Sequence, residues 1–232
     1  MKRTYNINLV DGHLLISDNG NTILVDTGSP ITIHSKTNLS FMDRDFKVHT
    51  SIMGNGISDL SSLVGISFTT LLGMDILSQY RVVFDYKNQQ ITFQTEEEPG
   101  LEGTSYPLID VMGSKAIPTN MKGQPLTMVL DTGAPLSYVD AAVTENLEPV
   151  GEKEDFHPIA GRYTTRIYEL EAEIDDKKFT GTYGNLPAMM RMSLKLGGLD
   201  GIIGYDFFQS FRVMLDLKKR FGCHNMLISR EL

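Results

Sequence analysis

The sequence predicts a strand-rich chain made of two copies of one half-molecule. Three observations carry this. The segment Ile23-Leu24-Val25-Asp26-Thr27-Gly28-Ser29-Pro30 returns 105 residues later as Met128-Val129-Leu130-Asp131-Thr132-Gly133-Ala134-Pro135. A second pair of segments, Gly73 to Asp85 and Gly204 to Asp216, aligns without a gap, with glycine, aspartate, arginine, valine and the final aspartate identical. Most remaining apolar stretches are short, β-branched or alternating, and end at Asp-Gly or Asn-Gly turn signals.

Taken in order, residues 5–10 alternate as a half-buried strand does, and Asp11-Gly12 turns the chain into a return strand from His13 to Ile16. A turn at 18–21 leads to the strand 22–25, which delivers Asp26. Ile31 to Ile33 reads as a further strand, 35–45 as irregular, 46–53 as a strand ended by Gly54-Asn55-Gly56, and 58–64 as a short helix. Arg81–Asp85 and Gln90–Phe93 form a hairpin around Lys87-Asn88. Glu96-Glu97-Glu98-Pro99-Gly100 joins a charge run to proline and glycine and marks the junction between the copies. The expected division is a first lobe over 1–97, a linker over 98–103 and a second lobe over 104–232.

The copies differ in length. Asp26 precedes its anchor glycine by 47 residues and Asp131 by 73. The longer excursion contains two strand-like runs around Ala160-Gly161-Arg162, hence a candidate hairpin, then a turn at Asp175-Asp176 and the methionine-rich run 188–192.

Composition narrows the function. The formal charge of −8 argues against a phosphate-backbone partner, and no run is long enough for a membrane span. A single cysteine, Cys223, excludes an intrachain disulfide and is expected to be a small core residue. Met1 to Ile7 lack the apolar stretch of a secretory signal, so a cytoplasmic location is expected. The five histidines show no metal-ligand spacing, and the glycine-rich run 197–204 lacks the lysine of a phosphate loop, so no metal and no cofactor are expected.

In each motif a buried strand breaks into a Gly-x-Pro turn at an aspartate. One such aspartate is a turn residue; two in the same frame suggest carboxylates brought face to face. Asp75 and Asp206 follow glycine and precede an apolar run, so helix N-capping is the expected role. Asp85 and Asp216 are expected to be turn or surface groups, and Arg81 and Arg212 to pack their stems or pair with carboxylates.

Apolar-Asp-Thr-Gly with a downstream apolar-apolar-Gly, once per half, resembles the aspartic proteases of the pepsin and retropepsin type. The chain looks like a single-chain bacterial member of that group. The resemblance implies an all-β, bilobal fold of two pseudo-symmetric retropepsin-like lobes with a cleft between them. It implies Asp26 and Asp131 as the catalytic dyad of an aspartic endopeptidase acting on a peptide or protein, as a monomer. Thr27 and Thr132 would hold the two loops together by hydroxyl-to-backbone hydrogen bonds across the lobes. Gly28 and Gly133 allow close approach of the backbone to the carboxylates. Two departures stand out. Ser29 follows the first motif in the pepsin manner and Ala134 the second in the retropepsin manner. The hairpin that would serve as flap, with Gly161 at its tip and Tyr163 over the substrate, lies in the second half.

Two close carboxylates cannot both ionise cheaply, so the pair shares a proton, as aspartic proteases do. Its ionised member takes a proton from water and its protonated member hydrogen-bonds the carbonyl under attack. Ser29 is expected to donate to Asp26 and favour its ionised form. A catalytically silent peptide- or protein-binding module on the same fold is the alternative.

Overall fold

The computed structural model describes residues 1–95, 103–157, 161–220 and 223–229, with backbone only at Lys219, Arg220 and Cys223. Linker residues 98–102, Ala160 of the candidate hairpin and the Cys223 side chain lie outside the described residues. The first half contains β1 (Lys2–Asn6), β2 (Asn8–Val10), β3 (His13–Asp18), β4 (Asn21–Val25), β5 (Ile33–His34), β6 (Asn38–Phe41) and β7 (Arg44–Lys47). It continues with β8 (Ser51–Ile52), β9 (Asn55–Gly56), α1 (Ile57–Val64), β10 (Thr70–Leu72), α2 (Met74–Leu77), β11 (Arg81–Asp85) and β12 (Gln90–Gln94). The second half contains β13 (Thr104–Val111), β14 (Ser114–Met121), β15 (Gln124–Leu130), β16 (Ser137–Val139), α3 (Ala141–Thr144), β17 (Gly151–His157) and β18 (Gly161–Ile174). It ends with β19 (Lys177–Asn185), α4 (Ala188–Leu196), β20 (Gly201–Ile203), α5 (Tyr205–Ser210), β21 (Arg212–Arg220) and β22 (Cys223–Ser229). The fold is all-β in class, with short helices at strand ends.

The same strand order recurs in each half. The order β2-β3-β4-β10-β5 of the first is repeated as β13-β14-β15-β20-β16 in the second. In both, the strand that carries the aspartate lies parallel to the strand before the anchor glycine: β4 beside β10, β15 beside β20. That parallel neighbour holds the end of each aspartate strand, since the Asp26 N–H donates to the Leu72 carbonyl at 3.0 Å and the Asp131 N–H to the Ile203 carbonyl at 2.9 Å. A buried strand of this kind needs an unbroken apolar run, and Ile23, Leu24 and Val25 are at most 2% exposed.

The halves join through one sheet of order β1-β12-β11-β21-β22-β13, three strands from each. At its centre β11 and β21 run antiparallel, with Arg81 opposite Asp216 and Phe84 opposite Val213. Two reciprocal ion pairs close this seam: Arg81 Nε lies 2.7 Å from Asp216 Oδ2, and Arg212 Nε lies 3.2 Å from Asp85 Oδ2. Beneath them Phe84 of the first half meets Phe208 of the second with ring centroids 5.2 Å apart. Asp85 therefore links the two halves and, at 7% exposed, is not a surface group, but the expected turn role holds, since it accepts the Asn88 N–H of its own turn.

Other expectations change too. Asp75 and Asp206 are not N-caps, because Gly73 and Gly204 occupy the cap positions. From the first turn of its helix, Asp75 instead accepts the Thr32 hydroxyl at 2.6 Å, and Asp206 accepts the Thr182 N–H at 2.7 Å. Each carboxylate thus ties its helix to a neighbouring segment. Residues 35–45 are not irregular: β6 and β7 form a hairpin whose turn holds Met42 and Asp43 at φ 53° and 56°. The alternation of Leu39 and Phe41 with Asn38 and Ser40 is too short to stand out in the sequence. The strand expected over 46–53 is two pieces, parts of β7 and β8, separated by the chain around His49 that bridges Ile33.

Candidate active site

Two strand ends and two tight turns place the aspartates. Asp26 and Asp131 leave β4 and β15 half-buried, and their carboxyl groups lie within hydrogen-bonding reach of each other across the pseudo-two-fold axis. The approach is close because nothing stands between them. A Cβ built on Gly28 would sit 2.2 Å from Asp131 Oδ2, and one on Gly133 would sit 2.6 Å from Asp26 Cγ. Each glycine therefore makes room for the carboxylate of the other half.

Beneath the carboxylates the threonines interlock. The Thr27 hydroxyl donates to the Leu130 carbonyl at 2.8 Å and accepts the Thr132 N–H at 3.0 Å. The Thr132 hydroxyl donates to the Val25 carbonyl at 2.8 Å and accepts the Thr27 N–H at 3.1 Å. Both side chains are buried, so no water can substitute. Thr132→Val is expected to cost on the order of 2–4 kcal/mol, because the Val25 carbonyl and Thr27 N–H both lose buried partners. Thr132→Ser, which keeps the hydroxyl, should lose well under half of that; urea unfolding of the two variants makes the comparison.

The two carboxylates are held differently. Asp26 Oδ1 accepts the N–H groups of Gly28 and Ser29, both at 2.9 Å. Asp131 Oδ1 accepts the Gly133 N–H at 2.8 Å, while the Ala134 N–H turns to the Asp131 carbonyl oxygen at 3.3 Å. Ser29 reaches Asp26 through its backbone, not through the expected hydroxyl. That hydroxyl has one proton, and it goes to the Ile31 carbonyl at 2.8 Å. Ser29 and Ala134 thus differ in side chain, but the inequality at the carboxylates comes from backbone N–H donors.

Burial raises both carboxyls above their ordinary value, and the charge of Asp26 raises Asp131 further. The donors from Gly28 and Ser29 restrain the rise at Asp26. The pair titrates as a unit, and Asp131 is the more strongly raised of the two.

The second half supplies the hairpin β17–β18, paired from Gly151 opposite Ile167 to His157 opposite Gly161. Gly161 has φ +71°, a conformation that suits glycine at the end of a turn. Tyr163 packs on Tyr138 with ring centroids 6.3 Å apart, and the Tyr138 hydroxyl donates to Asp155 on β17. Burial pushes the Tyr163 phenol up to about 12, so it stays neutral. One residue nearer the hairpin tip, Arg162 Nη2 donates to the Leu63 carbonyl of α1 at 3.3 Å. The hairpin therefore spans from its own lobe to a helix of the other. The corresponding first-half region is only the small β8–β9 turn with Met53 and Gly54 at its tip.

Sequence reasoning finds the turn at Asp11-Gly12, but neither the one at Met112-Gly113 nor the contact of both with the aspartate loops. A Cβ on Gly12 would lie 2.9 Å from Pro135 Cβ, and one on Gly113 would lie 3.2 Å from Pro30 Cβ. Each half thus buttresses the loop of the other, and Ser114 beside Gly113 donates its hydroxyl to the Gly28 carbonyl at 3.2 Å. A turn glycine precedes each Asp-Thr-Gly, 14 residues before Asp26 and 18 before Asp131, and was the available signal. A separate cavity of about 430 Å3, lined by Asn6, Ile7, Leu15 and Thr22, contains neither aspartate. Among the described residues no cluster of metal-ligating side chains occurs, and no helix is long and apolar enough to cross a membrane.

No family model matches the sequence, and no curated protein matches it. Solved structures similar to it include a foamy viral protease-reverse transcriptase in complex with an RNA/DNA hybrid, at 19% identity and a TM-score of 0.31. That match covers 38% of this chain and 10% of the viral one, so the chain corresponds to about a tenth of that protein's length. The protease of simian foamy virus (mac) matches at 18% identity and a TM-score of 0.30, over 38% of this chain and 86% of the viral one.

Proposed function

We propose that this chain is an aspartic endopeptidase of the retropepsin-like kind, with both halves of the dyad in one polypeptide. The observation that carries this is the facing pair of carboxyls: each lies against the loop glycine of the other half, both are raised by burial, and each acts on the other's titration. Such a pair holds a water between an acceptor and a donor. Ionised Asp26 takes a proton as that water attacks a peptide carbonyl, and protonated Asp131 hydrogen-bonds the carbonyl oxygen as charge develops there. The β17–β18 hairpin would lie over an extended peptide and pair with its backbone, with Gly161 near the turn and Tyr163 at the edge of the substrate. The linker region 98–103 then serves to join the lobes, and no homodimer is needed to complete the site. The reaction requires no cofactor.

The test is cleavage of a mixed peptide library followed by mass spectrometry across pH. Activity is expected to trace a bell. It falls at low pH as Asp26 gains a proton, and falls at high pH as Asp131 loses the one it must donate. A pepstatin-type inhibitor should suppress it. A library left intact at every pH between about 3 and 8, a window that brackets the carboxylate range, overturns the reading.

A further inference from the structure

The pseudo-two-fold axis relates two turns that carry chemically opposite side chains. Asp11 and Gly12 connect β2 to β3 with φ 48° and 84°; Met112 and Gly113 connect β13 to β14 with φ 51° and 91°. The backbone is the same, so each first turn residue is presented in the same way. Both turns rest on the loop that carries the other half's aspartate, through Pro135 and Pro30 respectively. They therefore lie against the two aspartate loops, each from the opposite half.

Asp11 suits its position, since aspartate tolerates the left-handed region well. Met112 does not. Methionine has no local hydrogen bond to offer there, and at 76% exposure it gains little burial in return. Its surroundings are apolar: the sulfur lies 3.5 Å from the Cβ position of Gly197, at the end of α4, whose Met192 and Leu196 are also exposed. The Asp11 side is acidic. His13 beside it is buried, which lowers its pKa, with Asp155 and Lys153 of β17 acting on it in opposite senses, and Asp11 is the exposed carboxylate that this turn presents.

We infer that these two turns set the sequence preference of the cleft, with a basic side chain of the bound peptide taken at Asp11 and a large apolar one at Met112. The inference rests on the proposal that the cleft accepts an extended peptide. It assigns the substrate class as segments with a basic and an apolar residue on opposite sides of the central bond.

The experiment uses short fluorescein-labelled peptides with a reduced, uncleavable central bond, and anisotropy as the readout. Peptides carrying lysine on one side and leucine on the other should bind wild type about three- to fivefold tighter than those with glutamate in place of lysine, the range of a partly exposed charge pair. Asp11→Asn should erase that difference. Met112→Asp should move the preference toward peptides with lysine on both sides by a similar factor. Asparagine and aspartate are both favoured at these turn positions, so the variants should fold. Unchanged rankings in both variants overturn the inference, as does the absence of any peptide binding. The same sequences with an ordinary central bond separate the two levels: cleavage with an unaltered ranking keeps the peptidase and removes the inference, whereas shifted binding without cleavage does the reverse.

Discussion

Asp131→Asn is expected to lower peptide cleavage by a factor on the order of 10³ or more, the scale of a lost acid–base partner, while making the protein more stable at neutral pH. The two effects have one origin. Asp131 is raised above its ordinary value because burial and the charge of Asp26 oppose its ionisation. A carboxyl that binds its proton more tightly folded than unfolded adds stability at low pH. That contribution is lost as pH climbs from the ordinary carboxylate value through the raised one. The wild-type dyad is thus a burden at pH 7, and an uncharged amide of the same shape relieves it. Thermal melts at pH 4 and pH 7 should show the variant's advantage growing with pH. An inactive variant that is equally destabilised at both would point to lost structure instead. Asp26→Asn should be as inactive, and the double variant no worse than either, because the carboxyls act as one unit.

Gly28→Ala has the second largest expected effect, and here stability and activity fall together. The new methyl would stand 2.2 Å from Asp131 Oδ2, well inside contact distance, with the loop backbone fixed by hydrogen bonds from the Gly28 and Ser29 N–H groups to Asp26. Either the carboxyl swings away or the two loops part, and parting them strains the Thr27–Thr132 interlock. A loss of about 2–4 kcal/mol, the range of severe overpacking with partial rupture of a buried network, should appear in urea unfolding, and hydrolysis should become undetectable. Gly161→Ala, whose added methyl meets no atom of the described residues within 4 Å, should cost only the roughly 1–2 kcal/mol of a left-handed backbone at φ +71°.

The sequence made the duplication readable because it is written in identical residues at identical spacing. Asp-Thr-Gly and Gly-x-Asp mark places where backbone meets backbone, and side-chain choice there is narrow. What stayed hidden depends on contacts between distant segments. Asp75 reads as a cap until Thr32, 43 residues away in the chain, is seen to reach it. Asp85 reads as a turn or surface group because its cationic partner sits in the other copy, whereas the pairing expected of Arg212 with a carboxylate is found, without the sequence saying which one. The β6–β7 hairpin escaped notice because its alternation spans only a few residues and its turn uses Met42 where asparagine or glycine is the usual sign. The methionine-rich run also divides: Met190 is core, but Met189 and Met192 face outward from α4.

The interlocked threonines have a consequence for how such a chain can diverge. Atoms along the axis belong to both copies at once, so a change in one copy is tolerated only if the other still fits it. Away from the axis each copy answers to its own surroundings. Serine beside alanine, an acid turn beside a thioether turn, and a stub beside a long hairpin are the differences that such freedom permits. The two copies match where their loops interlock at the axis, and they differ toward the rim.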